Sequence, residues 1–396
     1  MKAIELEQLF PNQGQIPAEF DLTEPLEQKE YLVNGEMRAW AGKTQDVWSP
    51  IYIKTDKGFE QKRIGSYPIT DASDAMEVLY AGVKAYANGR GEWPSMSVSK
   101  RIECVEKFTQ KMIQKRSEVV KLLMWEIGKS LTDSQKEFDR TVQYIYDTIG
   151  ALKDIDRNSS TFLIEEGIIG QVRRSPLGVV LCMGPFNYPL NETFTTLIPA
   201  LIMGNIVLFK PPKHGTLLHY PLLEAFKDSF PPGVINTLYG RGNSIIPQLM
   251  ESGKIDVLTL IGSSKVADKL KKMHPKVNRL RAILGLDAKN AAIVTESAQL
   301  EVAINECLLG SLSFNGQRCT AIKIIFVHKS LAEAFNKGLA EKIESLKVGM
   351  MWDPGVQITP LPEPNKPAYL KELIEDAKMH GAAVLNPHGG ENFKSI

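Results

Sequence analysis

The chain has 396 residues, 43% hydrophobic and 23% charged, the proportions of a folded soluble protein rather than of a disordered, collagen-like or coiled-coil one. Forty-seven basic residues against 46 acidic ones leave a formal net charge of +1, so no global field recruits nucleic acid or an anionic membrane. At about 150 residues per domain, this length predicts two to three domains.

The opening MKAIELEQLF lacks a basic stretch followed by a long apolar one and is not a secretory signal, which predicts a cytoplasmic protein. Residues 69–138 read as helical, with Ser73 as N-cap of a helix through Tyr86 and apolar residues at three and four spacing over 100–126. In 154–174 the runs TFLIEEG and IIGQVRRS, separated by Gly167, predict a projecting hairpin that ends before Pro176. Strand and helix signals then alternate through LGVVLCMG, a helix over 190–203, NIVLFKPP, a helix over 216–226, VINTLYG, a helix from Ser244, and VLTLIG. This alternation predicts a parallel sheet with helices on its faces. The apolar run 196–209 is interrupted by Pro199, Gly204 and Asn205 and is too short to span a bilayer. A second α/β series starts near Arg281 with RAILGL and KNAAIVT, followed by a helix over 300–313 and the strand KIIFVH.

Cys104, Cys182, Cys307 and Cys319 form no CxxC pair and no zinc-like cluster, so no metal site is expected. Cys319 stands apart. It lies in the polar loop FNGQRCT between a helix and a strand, beside Arg318, where a cation favours a thiolate. A buried inert thiol is the other reading of this residue; the remaining cysteines sit in apolar contexts and read as packing. Asn187, in GPFNYP at the end of a predicted strand, lies where ligands of open α/β sheets gather. Its amide suits a developing oxyanion, or else satisfies its own turn.

Together GPFNYPLNETFTTLIPALIMGNIVLFKPP, GRGNSI, FNGQRCTA and ITPLPEP resemble the aldehyde dehydrogenase superfamily from about residue 30 onward, and most closely its NADP-dependent, non-phosphorylating glyceraldehyde-3-phosphate branch. The resemblance implies an α/β fold with a Rossmann-like cofactor domain over 1–283, interrupted by an oligomerisation hairpin at 154–174, and a second α/β catalytic domain over 284–396. It also implies a homodimer or homotetramer. In the implied chemistry Cys319 attacks a small-molecule aldehyde, Asn187 and the Cys319 N–H hold the oxyanion, and hydride transfer leaves a thioester for water to hydrolyse. On the cofactor side the pattern maps onto Lys210, Lys213, the turn at Gly240, and Gly262, Ser263 and Ser264 at a helix N-terminus that suits a pyrophosphate. Many NAD-preferring relatives carry a glutamate where Lys213 stands, which points to NADP over NAD; a merely solvated loop is the alternative. On the substrate side it maps onto Arg318, Arg140 and Tyr188, with Arg318 either binding a phosphate or only tuning the thiol.

Two departures qualify this expectation. The LELGGKN segment whose glutamate activates water reads LGLDAKN here, which places Gly285 at the glutamate position. Asp287, two residues on, either replaces that base from the same face of an extended segment or is a hydrogen-bonded structural residue. The chain also stops before the segment that in relatives contacts the nicotinamide ribose, so the catalytic domain reads as C-terminally incomplete. A CoA-acylating semialdehyde dehydrogenase and a catalytically weak nucleotide-binding paralogue are the alternatives that follow.

Overall fold

The computed structural model describes residues 3–386 and 394–396. After α1 (Ala3–Leu9) the chain forms β1 (Leu26–Glu27), β2 (Glu30–Val33), β3 (Glu36–Ala39), β4 (Thr44–Thr55) and β5 (Gly58–Pro68). Strands β1, β5 and β4 make a three-stranded sheet, and β2 and β3 a separate hairpin. The hairpin turn is Asn34-Gly35, with φ of 52° and 77°, the pair of left-handed residues that matches the twist of two-residue hairpins.

Five helices follow: α2 (Ala72–Tyr86), α3 (Glu92–Ser95), α4 (Val98–Gln114), α5 (Arg116–Ile127) and α6 (Leu131–Asn158). The N-cap of α2 is Asp71 rather than Ser73. Its carboxylate accepts from the N–H groups of Ser73 and Asp74 at 2.7 and 3.0 Å, and Asp74 returns a bond to the Asp71 N–H, a reciprocal cap that Ser73 is too far along the chain to make. The stretch over 100–126 is two helices broken at Lys115 (φ −94°, ψ 6°). One apolar periodicity runs across a break that no proline or glycine marks. The hairpin falls at β6 (Leu163–Glu165) and β7 (Ile168–Gly170), and 154–158 belong to the end of α6.

The sheet that organises the rest contains β8 (Val179–Met183), β9 (Ile206–Lys210), β10 (Ile235–Thr237), β11 (Val257–Ile261) and β12 (Arg281–Gly285), all parallel, in the order β10-β9-β8-β11-β12. Its connecting helices are α7 (Asn191–Ile202), α8 (Leu223–Ser229, preceded by a 3-10 segment over Leu217–Leu222), α9 (Gly242–Glu251) and α10 (Ser264–Met273). Val179–Cys182 and Ile206–Phe209 are buried throughout, as strands covered on both faces must be. Because the order reverses at β8, a crevice opens beyond the carboxyl ends of β8, β9 and β11. The RAILG strand joins this sheet through β11 instead of opening the second series, so the sheet runs on through residue 285, across the expected domain boundary at 283.

Beyond it, β13 (Asn290–Val294) pairs in parallel with β14 (Ile322–Val327); α11 (Leu300–Leu312) packs on β14 and α12 (Ala332–Glu344) on α11, and α13 (Lys366–Met379) follows in the chain. Val294, Ile304, Cys307 and Phe335 form a small core separate from the large one. No described helix is long and apolar enough to cross a membrane.

His219, in the 3-10 segment, is fully buried between Phe194, stacked at 6.4 Å, and the edge-on Phe209 at 4.9 Å. Among the described residues neither ring nitrogen has a partner of good hydrogen-bond geometry, the Pro189 backbone being merely near. Burial pulls its pKa down to about 3, with the nearby Pro189 backbone opposing only in part. The unfolded chain therefore binds the extra proton between the ordinary value of 6.5 and about 3, and stability is lost as the pH is lowered through that window, by up to about 1.4 kcal/mol per pH unit. Denaturant midpoints measured from pH 7.5 down to 4.5 are expected to fall less steeply for His219→Leu than for the parent; parallel slopes would contradict this.

Candidate active site

At the end of α11 the chain turns sharply enough to put three successive residues in the left-handed region, Phe314, Asn315 and Gly316, with φ of 50°, 55° and 68°. For Phe314 and Asn315 that conformation costs about 1–3 kcal/mol each, so something must hold it. Asn315 is clamped to Thr359, donating from Nδ2 to its carbonyl at 2.9 Å and accepting its N–H at 3.0 Å. Phe314 is buried edge-on to Tyr188, with ring centres 5.9 Å apart. The turn delivers Cys319 to the surface, where its thiol is exposed. Its carbonyl accepts from Asn290 Nδ2 at 2.7 Å, and the same nitrogen reaches the Ala321 carbonyl at 3.1 Å.

Asn187 meets this loop. Its Nδ2 donates to the Gln317 carbonyl at 2.6 Å, which joins the GPFNYP turn to the FNGQRC loop across 130 residues of sequence. An amide nitrogen carries two hydrogens, so this bond orients the group and leaves one hydrogen for a substrate oxygen.

Beneath both loops lies an ion pair. Lys129 Nζ pairs with the Glu137 carboxylate, and both side chains are fully buried. Nζ also donates to the Asn187 carbonyl at 2.8 Å and stands 3.7 Å from the centre of the Tyr188 ring and 4.2 Å from that of Phe314. Glu137 Oε1 accepts the N–H groups of Leu190 and Asn191 at 3.0 and 3.1 Å, at the start of α7, where a negative charge is favourable. Burial pulls the Lys129 ammonium below its ordinary pKa and the Glu137 charge opposes it. Burial also pushes the Tyr188 hydroxyl up to about 12, so the phenol is neutral and able to donate. Gly128 ends α5 at φ 67°, and a Cβ there would run into the Pro360 carbonyl, so glycine lets the chain turn into Lys129.

On the cofactor side, a cleft of about 300 Å³ opens beyond β8, β9 and β11, with Gly184, Lys210, Gly242, Ile246, Val266 and Lys269 in its walls. Lys210 is half-buried in its wall; among the described residues its ammonium donates to the adjacent Pro211 carbonyl alone, at 2.9 Å, and partial burial pulls its pKa down to about 8. A half-buried cation with one backbone partner fits a nucleotide's ribose and phosphate oxygens. Ser263 caps α10, its Oγ accepting the Val266 N–H at 3.4 Å. The Gly262 N–H donates to the Gly285 carbonyl at 2.9 Å. Gly240 turns at φ 104° close against Thr70 and is not in the cleft wall, where Gly184 and Gly242 stand. Lys213 is exposed and outside that wall.

The structure thus brings together the loops that carry Cys319, Asn187, Tyr188 and Arg318 on one side; on the other, Lys210 lines the cleft with Val266, Lys269 and Leu270 of α10, the helix that Ser263 caps and Ser264 begins, and neither serine is in the lining. Arg318 is turned toward α11: its Nη2 donates to the Gly310 carbonyl at 3.1 Å and lies 3.5 Å from that of Leu309. Arg140 is exposed on α6, and its charge acts on both Tyr188 and Glu192. Asp287 Oδ2 accepts from the Ser264 N–H at 2.9 Å and Oγ at 3.1 Å, which is the hydrogen-bonded role of its two readings. Because β12 ends at Gly285, strand alternation does not carry from 285 to 287. Lys129, Glu137, Asn290 and Asn315 are the residues the sequence reading passed over; a lysine closing the apolar helix VVKLLMWEIGK was the visible signal for the first. Among the described residues no group of three or more His, Cys, Asp or Glu could hold a metal.

Residues 51–395 match the aldehyde dehydrogenase family. The chain is 31% identical over 329 residues to an NADP-dependent glyceraldehyde-3-phosphate dehydrogenase of Streptococcus equinus, covering 81% of this chain and 67% of that protein. It is 26% identical over 359 residues to a malonate-semialdehyde dehydrogenase of Oceanobacillus iheyensis, covering 90% and 71%. The crystal structure of the NADP-dependent glyceraldehyde-3-phosphate dehydrogenase of Bacillus halodurans in complex with NADP superposes with a TM-score of 0.82 at 28% identity, over 93% of this chain and 75% of that one.

Replacing Lys129 by methionine leaves the Glu137 carboxylate buried without its cation, a loss expected to cost about 3–5 kcal/mol. The double variant Lys129→Met/Glu137→Gln, which buries no charge, is expected to regain part of it. Equal melting temperatures for parent and Lys129→Met would show that the pair does not hold the site.

Proposed function

The chain belongs to the aldehyde dehydrogenase family, and from that premise we propose that it is an NADP-linked oxidoreductase that oxidises an aldehyde through a covalent adduct on Cys319. The observation that carries this reading is the bond from Asn187 to the Gln317 carbonyl, which sets a side-chain amide beside the loop that bears an exposed cysteine. Sγ of Cys319 adds to the aldehyde carbon. The developing oxyanion accepts from the Asn187 amide and from the Cys319 N–H, whose orientation follows from the Asn315 clamp on one side and the Asn290 bond on the other. NADP, when bound, supplies the acceptor for the hydride; Lys210, Ser263 and Ser264 would hold it, and the exposed Lys213 favours a 2′-phosphate over a bare ribose. The product on the protein is a thioester.

For the aldehyde, glyceraldehyde 3-phosphate is the first candidate, supported by similarity to the proteins that act on it and by Arg140 on α6 near Tyr188. Arg318 contributes less than its place beside Cys319 suggests, because part of its guanidinium caps α11. The exposed apolar side chains of the β6–β7 hairpin, Phe162, Ile164 and Ile168 among them, support a homo-oligomer.

One observation favours a second reading. No carboxylate stands at Gly285 and that of Asp287 is turned to Ser264, so the thioester has no assigned base to activate water; an acyl-accepting thiol such as that of CoA needs none, because it is itself the nucleophile.

The deciding measurement follows NADPH absorbance in a stopped-flow instrument after NADP-loaded protein meets glyceraldehyde 3-phosphate. A burst of about one equivalent, absent for Cys319→Ser and slowed about 10²- to 10³-fold for Asn187→Ala, is the expected result. Turnover that continues in buffer supports hydrolysis, and turnover that appears only with CoA supports acyl transfer. The absence of any burst with this and other aldehydes would overturn the dehydrogenase reading.

A further inference from the structure

The pyrophosphate end of the proposed cofactor cleft already holds an anion from the chain itself. Ser264 is the first residue of α10 and Ser263 its N-cap. The leading N–H groups of a helix lack intrahelical partners, and the helix dipole favours negative charge beside them. Oδ2 of Asp287 takes both donors that Ser264 offers, the N–H at 2.9 Å and the hydroxyl at 3.1 Å. Those two bonds hold its carboxyl below the usual carboxylate range, so the group is charged at neutral pH. The same helix lines the cleft through Val266, Lys269 and Leu270, and the half-buried Lys210 stands in the wall it faces. Asp287 is exposed and follows the last residue of β12, so no packing prevents its side chain from turning away.

We propose that Asp287 is an internal competitor for the phosphate-binding end of the cleft, and that its carboxylate must leave Ser264 before a dinucleotide pyrophosphate can take the N–H groups of α10. The inference rests on the NADP reading above and adds to it a residue that sets cofactor affinity. Asp287 lowers affinity twice: it occupies a donor the ligand needs, and it brings a like charge to a phosphate site. A purely structural Asp287 would do the opposite, fixing the segment 286–289 against α10 and preserving the site.

Titration of the parent, Asp287→Ala and Asp287→Asn with NADP, followed by quenching of tryptophan fluorescence and paired with thermal melts without ligand, separates these roles. The expected result is a Kd lowered about threefold to fivefold in Asp287→Ala, with Asp287→Asn between it and the parent because the amide still accepts from Ser264 but carries no charge. The melting temperature should be unchanged or lower, so affinity rises while stability does not. An equal or higher Kd for Asp287→Ala overturns the inference and leaves the cofactor reading standing. No NADP binding by any of the three forms overturns the cofactor reading and the inference with it.

Discussion

The Lys129–Glu137 pair is the contact on which the catalytic side of this molecule is assembled. Two opposite charges fully removed from water carry a desolvation penalty that their attraction repays only if the remaining hydrogen-bonding positions are filled. Here they are filled from segments distant in sequence: the Asn187 carbonyl on one side, the Leu190 and Asn191 N–H groups on the other, and the faces of Tyr188 and Phe314 around the ammonium. Each filled position fixes a piece of chain. The turn before α7 cannot move without leaving Glu137 short of the N–H donors of Leu190 and Asn191, and Phe314 cannot leave its left-handed conformation without uncovering Lys129. Asn187 and the Cys319 loop therefore inherit their geometry from a pair that touches neither the thiol nor the substrate.

The cofactor side is assembled on a different principle. Its elements are secondary-structure ends, where β9 terminates at Lys210 and α10 begins at Ser264, and their backbone groups are unsatisfied by construction. Lys210 is half-buried with a single backbone partner among the described residues and α10 is neutralised by Asp287, so one end waits for an anion while the other already has one. A rigid half, held by buried charge, thus adjoins a half whose charges can be re-partnered by a ligand.

What the sequence made legible follows from this difference. Cys319 and Asn187 stand in polar or strand-terminal positions within apolar text, which marks them as candidates beside an inert-thiol and a turn reading, whereas Lys210 is marked only by the resemblance of its FKPP segment. The parallel sheet is legible from local context, since buried strands such as Val179–Met183 and Ile206–Lys210 read as continuous apolar runs. Glu137 and Asn315 are not, because each acts on residues far away in sequence and looks locally like an ordinary helix or turn residue; Lys129 has a local mark in the apolar helix it closes, but its partners are equally distant. The Asn34-Gly35 hairpin carried a strong local signal that was passed over, whereas the break at Lys115 carried none. The side chain of Asp287 could not be aimed from sequence, because period-two alternation holds only while the strand continues, and β12 stops at Gly285.

That stop bears on the chemistry of the second half-reaction. A water-activating carboxylate must sit within hydrogen-bonding reach of the water and keep a basic lone pair toward it. At Gly285 there is no side chain to supply one, and a Cβ there would already stand 3.3 Å from Ile261 Cγ1. Asp287 is drawn to the N–H and hydroxyl of Ser264 at the start of α10, which stabilise its charge and so weaken it as a base. On the proposed reading, adduct formation draws on Cys319 and the oxyanion donors of the rigid half, and the oxidation to a thioester needs in addition the hydride acceptor that NADP would supply on the other half. The fate of the thioester therefore depends on whether an acceptor arrives with its own nucleophilicity, as a thiol does, or whether displacement of Asp287 from Ser264 by a bound pyrophosphate frees a carboxylate on the segment that follows β12.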